Sequence, residues 1–231
     1  MRLVTTRDGS KTLYSEGYGQ TFHSDRGALS EARHVFLEGS GVAARLASRT
    51  PTRVLEVGFG SGLNFLLSAD LALSSGAALY YCALDKSLVD ADTLTRLGYR
   101  DLLARGALFD ALVQGLGDLN AVTGRRLLAV QPGVRLELLL GEATLQALPG
   151  AAFDAVYQDA FSPDANPELW SEDFLRRLYQ SLKEGGRLST YSVKGEVRRR
   201  LEGLGFSVER RPGPIGGKRE MLVAAKPRFH G

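Results

Sequence analysis

The chain has 231 residues, of which 44% are hydrophobic and 24% charged, and a formal net charge of +3. That length buries one substantial core, and a single cysteine, Cys82, excludes a disulfide framework and reads as an ordinary small core residue. His23, His34 and His230 are too scattered for a metal site, no N-terminal stretch has the form of a leader, and the longest apolar region, residues 63–79, is broken by Asn64, Ser68 and Asp70; the expectation is a cytoplasmic protein with no metal and no membrane contact.

Residues 1–50 read as a small N-terminal extension packed on a catalytic domain over residues 51–231. A first buried strand is expected over 53–57, then a glycine-rich break, then a helix over 63–74. A second buried strand over 78–84 leads to a helix over 87–97, and one or two short helices between 102 and 122 complete the crossover to a third strand over 134–140. The fourth strand covers 153–158. The helix over 171–182 has Ser171 as its N-cap and Glu172 and Asp173 in the first turn. A strand over 186–192, a helix over 195–204 and strands over 206–211 and 221–225 finish the chain. The last two strands join through a Pro-Gly segment that holds no helix, so they pair antiparallel. Alternation of this kind argues for an α/β, Rossmann-like fold with a mostly parallel sheet and an antiparallel last strand.

The break after the first strand reads Glu56-Val57-Gly58-Phe59-Gly60-Ser61-Gly62-Leu63-Asn64. A dinucleotide fingerprint, GxGxxG, needs its third glycine at position 63, where this chain has Leu63; here it falls at Gly62. Acid-x-GxGxG is instead the pattern of class I S-adenosylmethionine (SAM) methyltransferases. In that reading Glu56 faces the ammonium end of SAM, and Gly58, Gly60 and Gly62, with Phe59 and Asn64 in the same loop, let the backbone approach the ligand. A glycine turn with no ligand is the alternative. Asp85, followed by Lys86, ends the second strand, where the fold places the acid for the ribose hydroxyls; a helix cap is the other reading.

The reacting end belongs beyond the fourth strand, where the chain reads Asp159-Ala160-Phe161-Ser162-Pro163 and then Asn166-Pro167-Glu168-Leu169-Trp170. A methyl acceptor nitrogen must present a free lone pair, and an aliphatic ammonium is mostly protonated at neutral pH. Asp159 is the candidate carboxylate to hold it and take its proton. The alternatives are a cap on the following turn or a pair with Lys194. Pro163 and Pro167 stiffen the loop; Phe161 and Trp170 either wall a pocket for a planar base or pack as core.

Three segments together resemble a known family. Asp8-Gly9-Ser10, Leu13-Tyr14-Ser15-Glu16, Phe22-His23-Ser24, Gly27-Ala28 and His34-Val35-Phe36-Leu37-Glu38 resemble the N-terminal region of the MnmD methyltransferases. The Asp159 to Trp170 loop and Gly217-Lys218-Arg219-Glu220-Met221-Leu222 are similar to their two most distinctive motifs. These enzymes are the stand-alone counterparts of the methyltransferase half of the bifunctional tRNA-modifying protein MnmC. The resemblance implies SAM-dependent methylation of 5-aminomethyl(-2-thio)uridine at the tRNA wobble position, with Glu56, Gly58, Gly60, Asp85 and Glu142 binding SAM and Asp159 meeting the amine. Glu142 stands where aspartate is common, and Gln158 where the residue is more often apolar. No second glycine-rich motif follows Gly231, so the FAD-dependent oxidase half is expected to be absent and the aminomethyl group to be made by upstream enzymes. Positive charge at Arg198, Arg199, Arg200, Arg210, Arg211, Lys218 and Arg219 is either a tRNA phosphate surface, with Arg199, Lys218 and Arg219 foremost, or a solvated face. Another transferase of this fold, such as an aminopropyltransferase, an oxidoreductase, or a silent RNA-binding module, are the competing functions.

Overall fold

The computed structural model describes residues 1–117 and 123–228, so His230 and Val122 fall outside it. Three short strands, β1 (Arg2–Thr5), β2 (Lys11–Ser15) and β3 (Gln20–Thr21), make an antiparallel meander. Helix α1 (Ala28–Glu31) runs on into a wider π-type turn over Ala32–Glu38, and α2 (Val42–Ala47) follows. Then come β4 (Thr52–Val57), α3 (Leu63–Ser75), β5 (Leu79–Asp85), α4 (Ala91–Leu97), α5 (Gly106–Gly117), β6 (Gly124–Gln131), β7 (Val134–Leu140), β8 (Phe153–Gln158), α6 (Glu172–Ser181), β9 (Leu182–Thr190), α7 (Gly195–Gly203), β10 (Ser207–Pro212) and β11 (Glu220–Ala225).

The eight-stranded sheet has the order β10-β11-β9-β8-β4-β5-β7-β6. Its five central strands are parallel, whereas β11 runs against both β9 and β10, and β6 against β7. The chain steps outward from β4 to β5 and β7, then returns to the other side of β4 to lay down β8. That reversal opens a crevice at the carboxyl ends of β4 and β8, where open α/β sheets bind ligands. In register, Glu56 pairs with Tyr157 and Val57 with Gln158, so the glycine loop and Asp159 emerge side by side.

Helices cover both faces of the sheet, as the near-continuous apolar runs of β4, β5 and β8 require. One face packs Val54, Phe65, Tyr81 and Tyr157 together with Leu13, Val35, Phe36 and Leu46, so residues 1–50 share the main core. The other packs Leu55, Val156, Trp170, Phe174 and Val197.

Three expectations about elements need correcting. The helix expected over 87–97 starts only at Ala91, because the Asp90 carboxylate caps it by accepting from the Thr93 N–H at 2.8 Å. The strand expected over 186–192 begins at Leu182, directly after α6. Strand β6 had no counterpart in the sequence reading: it is an edge strand whose burial alternates but whose residue types do not, with apolar Leu127 and Ala129 exposed and Arg126 on the more covered side.

Candidate active site

Two adjoining cavities open at the crevice. The first, about 300 Å³, is walled by Gly58, Phe59, Gly60, Asp85, Lys86, Leu88, Val89, Glu142, Asp159 and Phe161, among others. The second, about 360 Å³, lies beyond Phe22, His23, Ala160 and Phe161, which belong to both, and reaches Glu31, Tyr191 and Lys218.

The glycine loop holds its shape for two reasons. Gly58 has φ of +90°, and a Cβ there would sit 2.8 Å from the Asp159 carbonyl oxygen, so glycine lets the ends of β4 and β8 close together. Gly62, at φ +75°, begins α3, where a Cβ would meet the Phe59 ring at 2.9 Å. The Asp85 carboxylate accepts from the Gly60 N–H at 2.7 Å and the Ser87 N–H at 3.2 Å. Two of its roughly four lone-pair positions are thereby used, and others remain for ligand hydroxyls. Burial raises the Asp85 carboxyl, and those N–H groups oppose the rise.

Asn64 joins two carboxyls beneath the cavity floor. Its amide nitrogen donates to Glu56 Oε1 and to Asp159 Oδ2, each at 2.8 Å. Glu56 is 0% exposed, and burial pushes its carboxyl up to about 8 against the pull of the Asn64 amide. Asp159 is raised well above the carboxylate range by burial first, then by the neighbouring Glu31 and Glu56 charges. Asp159 Oδ1 is buried with no hydrogen-bond partner. Lys194 pairs with Asp164 at 2.5 Å instead, which leaves Asp159 without it.

Of the residues expected at the SAM site, Gly58, Phe59, Gly60, Asp85, Lys86 and Glu142 line the first cavity. Lys86 and Glu142 form an exposed ion pair of 2.6 Å at its rim. Glu56, Gly62 and Asn64 do not line it: Glu56 and Asn64 are buried beneath Asp159, and Gly62 serves Phe59 and the start of α3. Phe161 lines both cavities. Trp170 lines neither; it is 0% exposed, and its indole N–H donates to the Phe161 carbonyl at 2.8 Å, so it supports the loop from the core. Pro163 is likewise buried away from both. Gln158 is buried and donates to the Leu169 carbonyl at 2.8 Å, which ties the same loop down.

The basic cluster divides. Lys218 reaches the second cavity, with its ammonium 3.8 Å from the centre of the Tyr191 ring. Arg199 and Arg219 are exposed and line neither cavity. Arg198, Arg200, Arg210 and Arg211 pair with Glu202, Glu196, Glu220 and Glu209. Those four arginines therefore present much less free charge than the sequence suggests.

Residues that sequence reasoning did not place at the site come mainly from the N-terminal meander. Tyr18 stacks on Phe161 with ring centroids 4.3 Å apart, and Phe22 meets the same ring edge-on at 5.5 Å. Gln20 clasps the loop through its amide, donating to Ser162 Oγ at 2.7 Å and accepting from the Ser162 N–H at 3.2 Å. His23 lines both cavities and stays neutral near pH 7, since burial pushes it down to about 4. The N-terminal motifs of the resemblance, Phe22-His23-Ser24 among them, were the signal that pointed to this segment.

This donor set suits a nucleoside: backbone at the glycine loop, a carboxylate with free lone pairs for hydroxyls, apolar walls at Leu88, Val89 and Ala143, and an unpartnered carboxylate oxygen beside it. Residues 116–227 match a family described as S-adenosyl-L-methionine-dependent methyltransferase. The tRNA 5-methylaminomethyl-2-thiouridine biosynthesis bifunctional protein MnmC of Cupriavidus metallidurans is 39% identical over 96% of this chain and 33% of its own length. The protein of the same name from Aromatoleum aromaticum is 37% identical over 95% of this chain and 34% of its own. The chain thus spans about a third of the length of these curated relatives. The crystal structure of MNMC2 from Aquifex aeolicus superposes with a TM-score of 0.77 at 28% identity, covering 99% of this chain and 72% of that one. Sheet order, glycine loop and likeness converge: the chain has the fold of the SAM-dependent methyltransferases and is similar, over nearly its whole length, to about a third of the MnmC proteins.

Proposed function

We propose that the chain transfers the methyl group of SAM to the primary amine of 5-aminomethyl(-2-thio)uridine at the wobble position of tRNA, giving the 5-methylaminomethyl nucleoside. The observation that carries this reading is Asp159, a wall residue of the first cavity, whose Oδ2 is held by Asn64 while Oδ1 is left without a partner. The names of the MnmC relatives support the tRNA nucleoside as substrate.

The backbone from Gly58 to Gly60, the Asp85 carboxylate and the walls at Leu88, Val89 and Ala143 would hold SAM, with Glu56 acting through Asn64. When bound, SAM supplies an electrophilic methyl group on a cationic sulfur that leaves as a neutral thioether. Asp159 Oδ1 accepts a hydrogen bond from the substrate ammonium and takes its proton, which frees the nitrogen lone pair for the incoming methyl. Burial and neighbouring acids make this carboxylate a stronger base than one in water, which narrows the gap to the amine. Phe161, flanked by Tyr18 and Phe22, offers ring faces and edges for the uracil once it is turned out of the anticodon stack. Arg199, Lys218 and Arg219 serve phosphate affinity, and upstream enzymes of the cytoplasm provide the aminomethyl group.

Mass spectrometry of wobble nucleosides, after incubating aminomethyl-bearing tRNA with the protein and labelled SAM, tests this. Label in 5-methylaminomethyluridine is expected; label anywhere else, or none, refutes it.

A further inference from the structure

We propose that Glu31 is a substrate-binding residue, a second carboxylate that holds the ammonium of the amine alongside Asp159. The inference rests on the function proposed above.

Glu31 lies at the end of α1, is 3% exposed, and lines the second cavity. Its Oε1 accepts from the Ser24 N–H at 2.8 Å, which aims the carboxyl from the meander side. Among the described residues, no Lys, Arg or His approaches it within ion-pair distance. A buried carboxylate without a paired cation costs stability, and a binding role for a cation explains its presence.

The surroundings suit a cation. The two cavities adjoin at Phe22, His23, Ala160 and Phe161, and Glu31 lies close enough to Asp159 to disfavour its charge, so an ammonium between them relieves that repulsion. Asp25 adds a third negative group, and neutral His23 adds none. Tyr191 is fixed by donating its hydroxyl to the Ala160 carbonyl at 2.7 Å, and it presents a ring face that already carries the Lys218 ammonium. Lys218 is the one cation lining this cavity among the described residues, and it sits on the ring, outside pairing distance of Glu31.

Glu31→Gln separates this role from a purely structural one, because glutamine Oε1 still accepts the Ser24 N–H while the charge is lost. Expected are a KM for aminomethyl-bearing tRNA raised about tenfold or more, a smaller change in kcat, and unchanged SAM affinity by calorimetry. Expected too is that the wild type binds aminomethyl tRNA more tightly than the same tRNA with plain uridine, and that E31Q loses most of that preference. A wild-type KM with undiminished preference in E31Q overturns the proposal. So does equal binding of the two tRNAs by the wild type, which needs no variant. Failure of the wild type to methylate aminomethyluridine refutes the function instead.

Discussion

Glu56 shows how the site stores protons. Its carboxyl is pushed from the ordinary 4.5 to about 8 by burial, so the folded chain binds a proton that the unfolded chain has released between those values. The stability this group contributes is therefore full below pH 4.5 and is lost as pH rises through about 8. Replacing it with glutamine keeps an acceptor for Asn64 and removes the charge. Chemical unfolding at about pH 5 and about pH 9 should show wild-type stability falling more steeply than that of E56Q. Parallel slopes would mean that Glu56 titrates normally. At this scale the position of the candidate residues was legible where they are contiguous in sequence: Gly58 and Gly60 of the glycine loop, Asp85 and Asp159 were expected at one crevice and all line the first cavity. Glu31 and Tyr191 did not, because they are brought to the cavity from α1 and from the end of β9. Glu56 was legible as an important acid, but its contact is to Asn64, a partner that only the turn of α3 supplies.

Among the elements, the segment between β5 and α4 has the clearest bearing on ligand binding. Asp90 caps α4 through both carboxylate oxygens, taking the Thr93 N–H at 2.8 Å and the Thr93 hydroxyl at 2.7 Å. The cap ends the helix at Ala91 and leaves Ser87, Leu88 and Val89 outside it as cavity wall. Asp90→Ala should cost about 1 kcal/mol in denaturant unfolding and weaken SAM binding a few-fold by calorimetry. Unaltered SAM affinity would show that the wall is held without the cap. The parallel strands were readable as apolar runs and the helices as periodic ones, so the order of elements from β4 onward was recovered nearly whole. Strand β6 escaped because an edge strand open to solvent lacks that pattern. The start of α4 was misjudged because the apolar periodicity extends one turn beyond the cap.

The molecule as a whole has its candidate site at the strand-order reversal. The N-terminal meander reaches over the carboxyl end of β8: Gln20 grips Ser162, Tyr18 covers Phe161, and Leu13 joins the same core as Val54 and Tyr157. Residues 1–50 thus complete the second cavity, a role that no local pattern in that segment conveys. Among the described residues, no helix is long and apolar enough to cross a membrane. The account depends above all on Asp159 standing between donor and acceptor with one oxygen held and one free. Asp159→Asn tests it most directly, since its amide oxygen can still accept from Asn64. Calorimetry with SAM alongside single-turnover methylation of aminomethyl-bearing tRNA should show SAM affinity within a few-fold of wild type and transfer slowed by about a hundredfold or more. Transfer at the wild-type rate in D159N would contradict the account.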